Sequence, residues 1–348
     1  MFLYLLRRLA FAAVLVFTVS SASLILARLA PGDYVTMTLG IDARRDAAEA
    51  LRAQYGLNRS IAEQYRDWLF HAARLDFGRS LLYDTPVNEL VRERAANTAL
   101  LAATALAAAT LVGIPLGVVA GSRRGLLSQF IRAVSLLLLS LPSLLTSLLL
   151  VAVAARTGWF PIGDMRSMGA SPGATLSTVD LLWHLVVPAT ALALPIAAMF
   201  ERVQSQSMAD VIGQPYVLAA LARGVPRSRV VWRDALRPAL RPVAAVYGLV
   251  VGALFSGSFA VEVVTAWPGL GRLMLEALRA RDLYLVAGCA AAGSVFLALG
   301  TLVSDMALAA IDPRSPGDPS DPRNPGNPRD PREPRFMESA ECVEAASA

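Results

Sequence analysis

The chain contains no lysine. All 32 residues counted as Lys or Arg are arginine. A GC-rich genome that favours Arg codons accounts for the bias itself, but the absence excludes chemistry. Without a Walker A lysine the chain is no standard P-loop ATPase by itself. Without a Schiff-base lysine one route to covalent catalysis is closed. Histidine and cysteine are nearly as scarce. His71, His184, Cys289 and Cys342 cannot assemble the usual zinc site. Cys289 falls in an apolar run and Cys342 in the tail, which argues against a structural disulfide. No nucleophile–base pair or His-Glu-x-x-His spacing is present, so catalysis by this chain has little support. The net charge of +5 is spread along loops and points to no nucleic acid.

Charge of either sign is also scarce. Charged residues make up 17% of the 348 positions against about 25% in soluble domains, and hydrophobic residues 55%. With a mean hydropathy of +0.51, this composition is that of a polytopic membrane protein. Six segments offer the roughly 20 apolar residues that a bilayer-crossing helix needs: 9–27, 98–120, 133–155, 181–200, 243–264 and 283–311. The first follows Arg7-Arg8 and is longer than a signal-peptide core, so a retained anchor is expected. Arginine in the short connections sets the orientation. Arg7 and Arg8, then Arg123, Arg124 and Arg132, then the connection 201–241 all fall on one side if the N-terminus is cytoplasmic. Six spans return the C-terminus to that side.

The expected organisation is therefore 1–30 (N-terminal start and first span), 31–97 (a helical external subdomain), 98–311 (a five-helix core) and 312–348 (a tail). In the external segment, Asp42 can cap a helix that runs to Tyr55 and stops at Gly56. Ser60 with Glu63 makes a capping box for a helix reaching about Arg74. Thr85-Pro86 starts another helix, with Pro at its first position. Between them, Asp76-Phe77-Gly78-Arg79-Ser80 reads as a turn. The subdomain could meet a soluble partner or lie as a lid on the spans. The tail carries Pro at every third position from Pro313 to Pro334 and cannot bury a core.

Ionisable residues at membrane depth are costly and usually functional. Glu262 ends the fifth span, and Asp305 lies about two turns from the inner end of the sixth. Each could serve a substrate or proton pathway, or pair with a loop arginine near the interface. Gly113, Pro115, Gly117, Pro142 and Pro195 interrupt spans and could kink them. His184, beside Trp183 and Pro188, suits packing or hydrogen bonding at the outer interface.

The most informative stretch is the polar connection 201–241. It carries seven arginines against Glu201, Asp210 and Asp234, net +4. Residues 216–223 read as a short helix, Gly224-Val225-Pro226 as a break, and 227–240 as a second short helix. Small side chains at Ala219, Ala220 and Ala222 would let that helix lie close against a partner. Gly224 permits a turn that a bulky residue would strain, and Pro226 presets the next helix. The arginines can meet acidic groups or anionic headgroups.

This connection resembles the EAA loop of ABC-importer permeases, through Ala219, Ala220 and Gly224. It departs at Leu218, where the family has Glu, and in its loose ending at Asp234, Leu236 and Arg237-Pro238. A second set of motifs is similar to the oligopeptide/dipeptide permease family, first membrane subunit type. In order they are Leu5-Leu6-Arg7-Arg8-Leu9, Pro31-Gly32-Asp33, Tyr55-Gly56-Leu57-Asn58, Asp76-Phe77-Gly78-Arg79-Ser80, and Gly113-Ile114-Pro115-Leu116-Gly117. Ser140-Leu141-Pro142-Ser143, His184 to Ala189, Trp267-Pro268-Gly269-Leu270-Gly271 and Asp312-Pro313-Arg314 complete it. The set is collinear over residues 1–314.

The resemblance implies an all-α, six-span type I ABC importer permease in a bacterial inner membrane, with both termini cytoplasmic. It implies a heterodimer with a second homologous permease, one or two cytoplasmic ATPase subunits that bind ATP and Mg, and an external substrate-binding protein. This chain would bind no cofactor or metal. Tyr216, Ala219, Ala220, Gly224, Pro226, Arg233 and Leu236 would form the coupling surface. Trp267, Pro268 and Gly269 join Glu262 and Asp305 as pathway or gating candidates, and Asp76, Phe77, Gly78 and Arg79 would face the external partner. Di- or oligopeptides are the implied cargo, with nickel complexes, glutathione or sugars as alternatives within the family. A secondary carrier, the rival class, would show inverted repeats and several buried charges, and neither stands out.

Overall fold

The computed structural model describes the backbone of residues 2–39, 45–165 and 178–311, with all side chains there except those of 2–5, 253, 256 and 303–311. The described residues are helical apart from turns and one isolated β-bridge, Arg79 to Pro86. Four helices are long and apolar enough to cross a membrane: α1 (Phe2–Leu29), α5 (Val87–Ser122), α8 (Thr178–Ile212) and α14 (Leu283–Ile311). Two further spans are bent. α6 (Leu126–Ser140) and α7 (Ser143–Thr157) meet at 103°, and α12 (Arg241–Val264) bends by 53° between Gly252 and Gly257. The six apolar segments thus appear as four continuous helices and two broken ones.

The sharp break has a local cause. Leu141, ahead of Pro142, sits in the extended region (φ −90°, ψ 117°), where the proline ring forces its predecessor. The other prolines of the spans do not end a helix. Pro115 lies inside an unbroken α5, and Pro188 and Pro195 inside an unbroken α8. Gly113 and Gly117 do different work from that expected. With Gly121 they form a four-residue track along α5, and α8 lies directly on it. A Cβ at Gly117 would sit 2.6 Å from Gln204 Cβ and 2.7 Å from the Glu201 carbonyl. One at Gly121 would sit 2.6 Å from Met208 Cβ. Small residues at this spacing let two membrane helices touch backbone to backbone. Phe200, Leu101, Leu192 and Val250 fill the core beside them.

At one end of the bundle α2 (Tyr34–Leu39), α3 (Arg45–Gln54) and α4 (Ile61–Ala72) lie against the tips of α1 and α14. Trp68 packs on Leu24 and Ala287, and Val35 on Leu57 and Leu283. Of the two readings of this segment, the lid is the one the packing matches. The Ser60–Glu63 capping box forms with both reciprocal bonds. Gly56 ends α3 at φ +68°, and Leu57 N–H returns to the Arg52 carbonyl at 2.9 Å. Asp42 lies outside the described residues. Pro86 precedes rather than begins its helix, and Thr85 makes no capping bond: α5 starts at Val87 with its N-cap at Pro86. A short unforeseen helix, α2, is capped by Asp33, whose Oδ1 accepts Thr36 N–H at 2.8 Å. Arg52 Nε donates to Asp33 Oδ2 at 2.6 Å, tying α3 to α2.

Two outcomes are expected. Burial raises the Asp33 carboxyl pKa, but bonds from Arg52 and Thr36 outweigh it and hold the group down to about 2 from 3.8. A lowered folded value means the bond stabilises fully above pH 3.8, and the contribution is lost as pH falls through about 2. Asp33→Asn should cost about 1 kcal/mol after solvent screening at neutral pH, and the cost should shrink through about pH 2 and vanish below it, read by hydrogen exchange of α2. Gly117→Val should destabilise the α5–α8 pair by about 3 kcal/mol or more. Gly213→Ala, whose Cβ meets only the Asp210 carbonyl at 3.8 Å, should leave thermal unfolding in detergent nearly unchanged.

Candidate functional site: an elbow and a polar knot

At the bundle end opposite α2–α4, α8 leads into α9 (Pro215–Ala222). A short turn α10 (Arg227–Arg229), a π-helical turn over Val230–Ala235 and α11 (Leu236–Ala239) follow. The expected second helix is thus wound in three pieces. α9 ends on a pair of bonds, Val225 N–H to the Ala220 carbonyl at 3.2 Å and Gly224 N–H to the Leu221 carbonyl at 3.0 Å. This is a Schellman closure, which needs a left-handed residue at its fifth position. Gly224 fills it at φ +80°, with open space around its Cα. Val225 then folds back onto the apolar layer of Val217, Ala220, Val230, Val231 and Ala235, which rests on Val118 and Met208 of the α5–α8 pair.

The elbow sorts the predicted coupling residues into two sets. Tyr216, Leu218, Ala219, Ala222, Gly224, Pro226 and Arg233 are exposed. Ala220 is buried in the layer beneath, and Leu236 is half-buried beside it. The open face therefore uses Ala219 and Ala222, while Ala220 holds α9 down. Trp232 and Arg237 are also exposed. Arg227 Nη2 donates to the Ser122 carbonyl at 2.9 Å, tying the elbow to the end of α5.

The opposite end carries a knot around Glu262. Its carboxylate is fully buried. Oε1 accepts Thr98 Oγ1–H at 2.7 Å, and Oε2 accepts the N–H groups of Gly271 (2.6 Å) and Arg272 (3.3 Å). Those N–H groups open α13 (Leu270–Ala280), so a carboxylate sits at a helix N-terminus, where the dipole favours it. The Thr98 hydroxyl also accepts Leu270 N–H at 2.8 Å. Asn97 completes the crossing: its side chain donates to the Pro268 carbonyl at 2.8 Å, and its own carbonyl accepts Trp267 Nε1–H at 3.1 Å. Gly269 and Gly271 leave no room for a Cβ beside the Glu262 carboxylate. Trp267, Pro268, Gly269 and Glu262 are thus one object; the side chain of Asp305 lies outside the described residues. α13 itself escaped the sequence reading, although Leu270, Leu273 and Ala277 bury one of its faces.

The 76–79 turn is bound inward. Asp76 Oδ1 accepts Gly78 N–H, Phe77 N–H donates to Asn88, and Phe77 packs near Trp68 and Tyr284. Asp76 and Arg79 stay exposed, Arg79 paired with Asp84 at 3.2 Å. Ser80 Oγ–H donates to the buried Asp282 at 2.6 Å, and Leu82 N–H to the same oxygen at 3.1 Å. Tyr83 O–H donates to Glu276 on α13 at 2.7 Å. Burial and that carboxylate push the Tyr83 pKa up to about 12. Asp282 also caps α14 through Leu285 N–H at 3.1 Å. A polar cleft of about 530 Å³ lies between α6 and α8, lined by Arg132, Arg202, Glu201 and Asp210 among others. Among the described residues no group of three or more His, Cys, Asp or Glu side chains could hold a metal.

Thr98→Val should strip one donor and one acceptor from the knot and leave Glu262 Oε1 and Leu270 N–H short of a partner. The expected loss is about 2–6 kcal/mol, at roughly 1–3 per buried group. Limited proteolysis should find residues 265–282 newly cleavable. Thr104→Val, whose hydroxyl bonds only to carbonyls within α5, should behave as wild type.

Comparison with known proteins agrees with this architecture. Residues 113–315 match the model for the binding-protein-dependent transport system inner membrane component, and residues 1–100 match its N-terminal companion. The chain is 31% identical over 314 residues to the oligopeptide transport system permease protein AppB of Bacillus subtilis, covering 89% of this chain and 98% of the relative. It is 33% identical over 266 residues to the oligopeptide transport system permease protein OppB of Mycobacterium bovis, covering 74% and 82%. The chain belongs to the family of binding-protein-dependent transport system inner membrane components.

Proposed function

We propose that this chain is one of two membrane subunits of an ATP-driven importer for di- or oligopeptides, and that it contributes half of the pathway. The elbow faces the cytoplasm and docks on an ATPase subunit. The end carrying α2–α4 and α13 faces outward, toward a substrate-binding protein. ATP and Mg are held by the ATPase, and this chain performs no catalysis.

The observation that carries this reading is the construction of α9. Its outer face is left open at Tyr216, Leu218 and Ala219, while its inner face is anchored on the α5–α8 pair. A helix held this way can pass a displacement to the core instead of bending. The exposed arginines around it suit an acidic groove, and the family of the chain and the names of its relatives support peptide cargo. Glu262 is fully engaged by Thr98, Gly271 and Arg272, which favours a structural carboxylate over an ion-exchanging one.

Gly224→Arg should stop ATP-driven peptide uptake in vesicles reconstituted with both permeases, the ATPases and the binding protein. A β-carbon at φ +80° strains the closure by roughly 1–2 kcal/mol, and the long side chain stands on the docking face. Membrane insertion and thermal stability should stay close to wild type. Uptake at the wild-type rate would remove the elbow from the coupling route.

A further inference from the structure

A smaller pocket of about 170 Å³ opens beside the elbow, between the last turn of α5 and the π-helical turn. Ser122 and Arg123 line one wall; Arg227, Ser228 and Trp232 line the other. Two arginines and two serines are among the residues that line it, and no carboxylate is. The large cleft beside α6 is different, since Glu201 and Asp210 there offset Arg132 and Arg202. The small pocket therefore selects an anion.

Its chemistry is that of a phosphate site. Arg227 is held in place through its bond to the Ser122 carbonyl, and its remaining N–H donors are available. Arg123 is exposed and forms no ion pair with a described residue. A guanidinium fork matches phosphate oxygens geometrically. The pocket is smaller than the roughly 300–1,000 Å³ of a drug-sized site, so it suits a headgroup better than a peptide.

Its setting adds the rest of the ligand. The pocket lies where the apolar part of α5 ends, the depth of lipid headgroups. Trp232 is half-exposed there, the usual place for an interfacial indole. Val112, Leu116, Val119 and Arg123 follow one another at four, three and four residues, a single helical stripe. Val112 and Leu116 are exposed on it and Val119 half-buried, giving an acyl chain a track that ends at the arginines. Basic pockets between membrane helices take anionic headgroups in this manner.

We infer that this pocket binds the phosphate headgroup of an anionic phospholipid, which braces the elbow against α5. Choline-bearing lipids are disfavoured because their ammonium group would face the two guanidinium groups.

Trp232 makes a direct probe. The other four tryptophans, Trp68, Trp159, Trp183 and Trp267, lie at the opposite end. The chain would be reconstituted in phosphatidylcholine vesicles containing a minor fraction of acyl-brominated phosphatidylglycerol or, in parallel, brominated phosphatidylcholine. The Trp232 signal is the difference between wild type and Trp232→Phe. We expect quenching of that signal to favour phosphatidylglycerol about fivefold per arginine engaged. Arg123→Gln, which keeps the Arg227–Ser122 bond, should lose much of the preference, and Arg123→Gln with Arg227→Gln all of it. Equal quenching by the two lipids, or a preference unchanged in Arg123→Gln, would overturn the inference. So would loss of the preference on adding millimolar inorganic phosphate, which would mark a free-anion site. Loss on adding the ATPase subunits would assign the pocket to docking and equally rule out the lipid.

Discussion

The close contact between α5 and α8 is the constraint on which the rest of the structure depends. Three glycines on α5 let α8 approach so closely that a Cβ at any of them would lie within 2.6 Å of an α8 atom. Each helix runs well past the membrane, at 36 and 35 residues. α5 carries something at both ends. Asn97 and Thr98 hold the knot, and Val118 with the Ser122 carbonyl holds the elbow. From Thr98 to Ser122 is about 36 Å of helix at 1.5 Å per residue. A pair packed this closely resists the sliding of one member against the other, so the two ends of the molecule share one element. Within the proposed transporter, that is a physical route from the docking surface to the outer face.

The outer knot fits such a route. Glu262, Thr98, Asn97 and the Trp267–Gly271 turn fix α13 to both α5 and α12. Tyr83 and Ser80 then fasten the external segment to Glu276 and Asp282. Buried polar networks of this kind are costly when half-satisfied and stiff when complete. Here each oxygen of the Glu262 carboxylate has a donor. Glu262, Trp267, Pro268 and Gly269, four of the residues expected to serve a pathway or gate, together fasten α13 to its neighbours.

Much of this was legible in the sequence, for local reasons. Span positions follow from apolar length, and the Ser60 capping box and the Gly56 and Gly224 stops follow from terminal hydrogen-bond needs. What was not legible depends on partners far away in sequence. Gly113 and Gly117 read as kinks because nothing local shows that Ala197 and Glu201 pass over them. The partner of Glu262 could not be read locally because Thr98 lies 164 positions away. Ala220 and Ala219 are equivalent in composition, and only the layer beneath α9 separates them. α13 was not legible because its eleven residues fall short of a span and follow directly on a turn. Leu270, Leu273 and Ala277 were the signal available for it.

The central claim is that the open face of α9 meets the ATPase while its anchored face does not. The missing lysines make a clean test possible, since a thiol-to-amine cross-linker finds no side-chain amine on this chain. Ala219→Cys and Ala220→Cys would be compared in a Cys342→Ala background, in the assembled transporter, with Cys289 buried and inert. Efficient cross-linking of Ala219→Cys to the ATPase, with little from Ala220→Cys, is the predicted result. Equal yields from both, or capture of neither, would contradict the account.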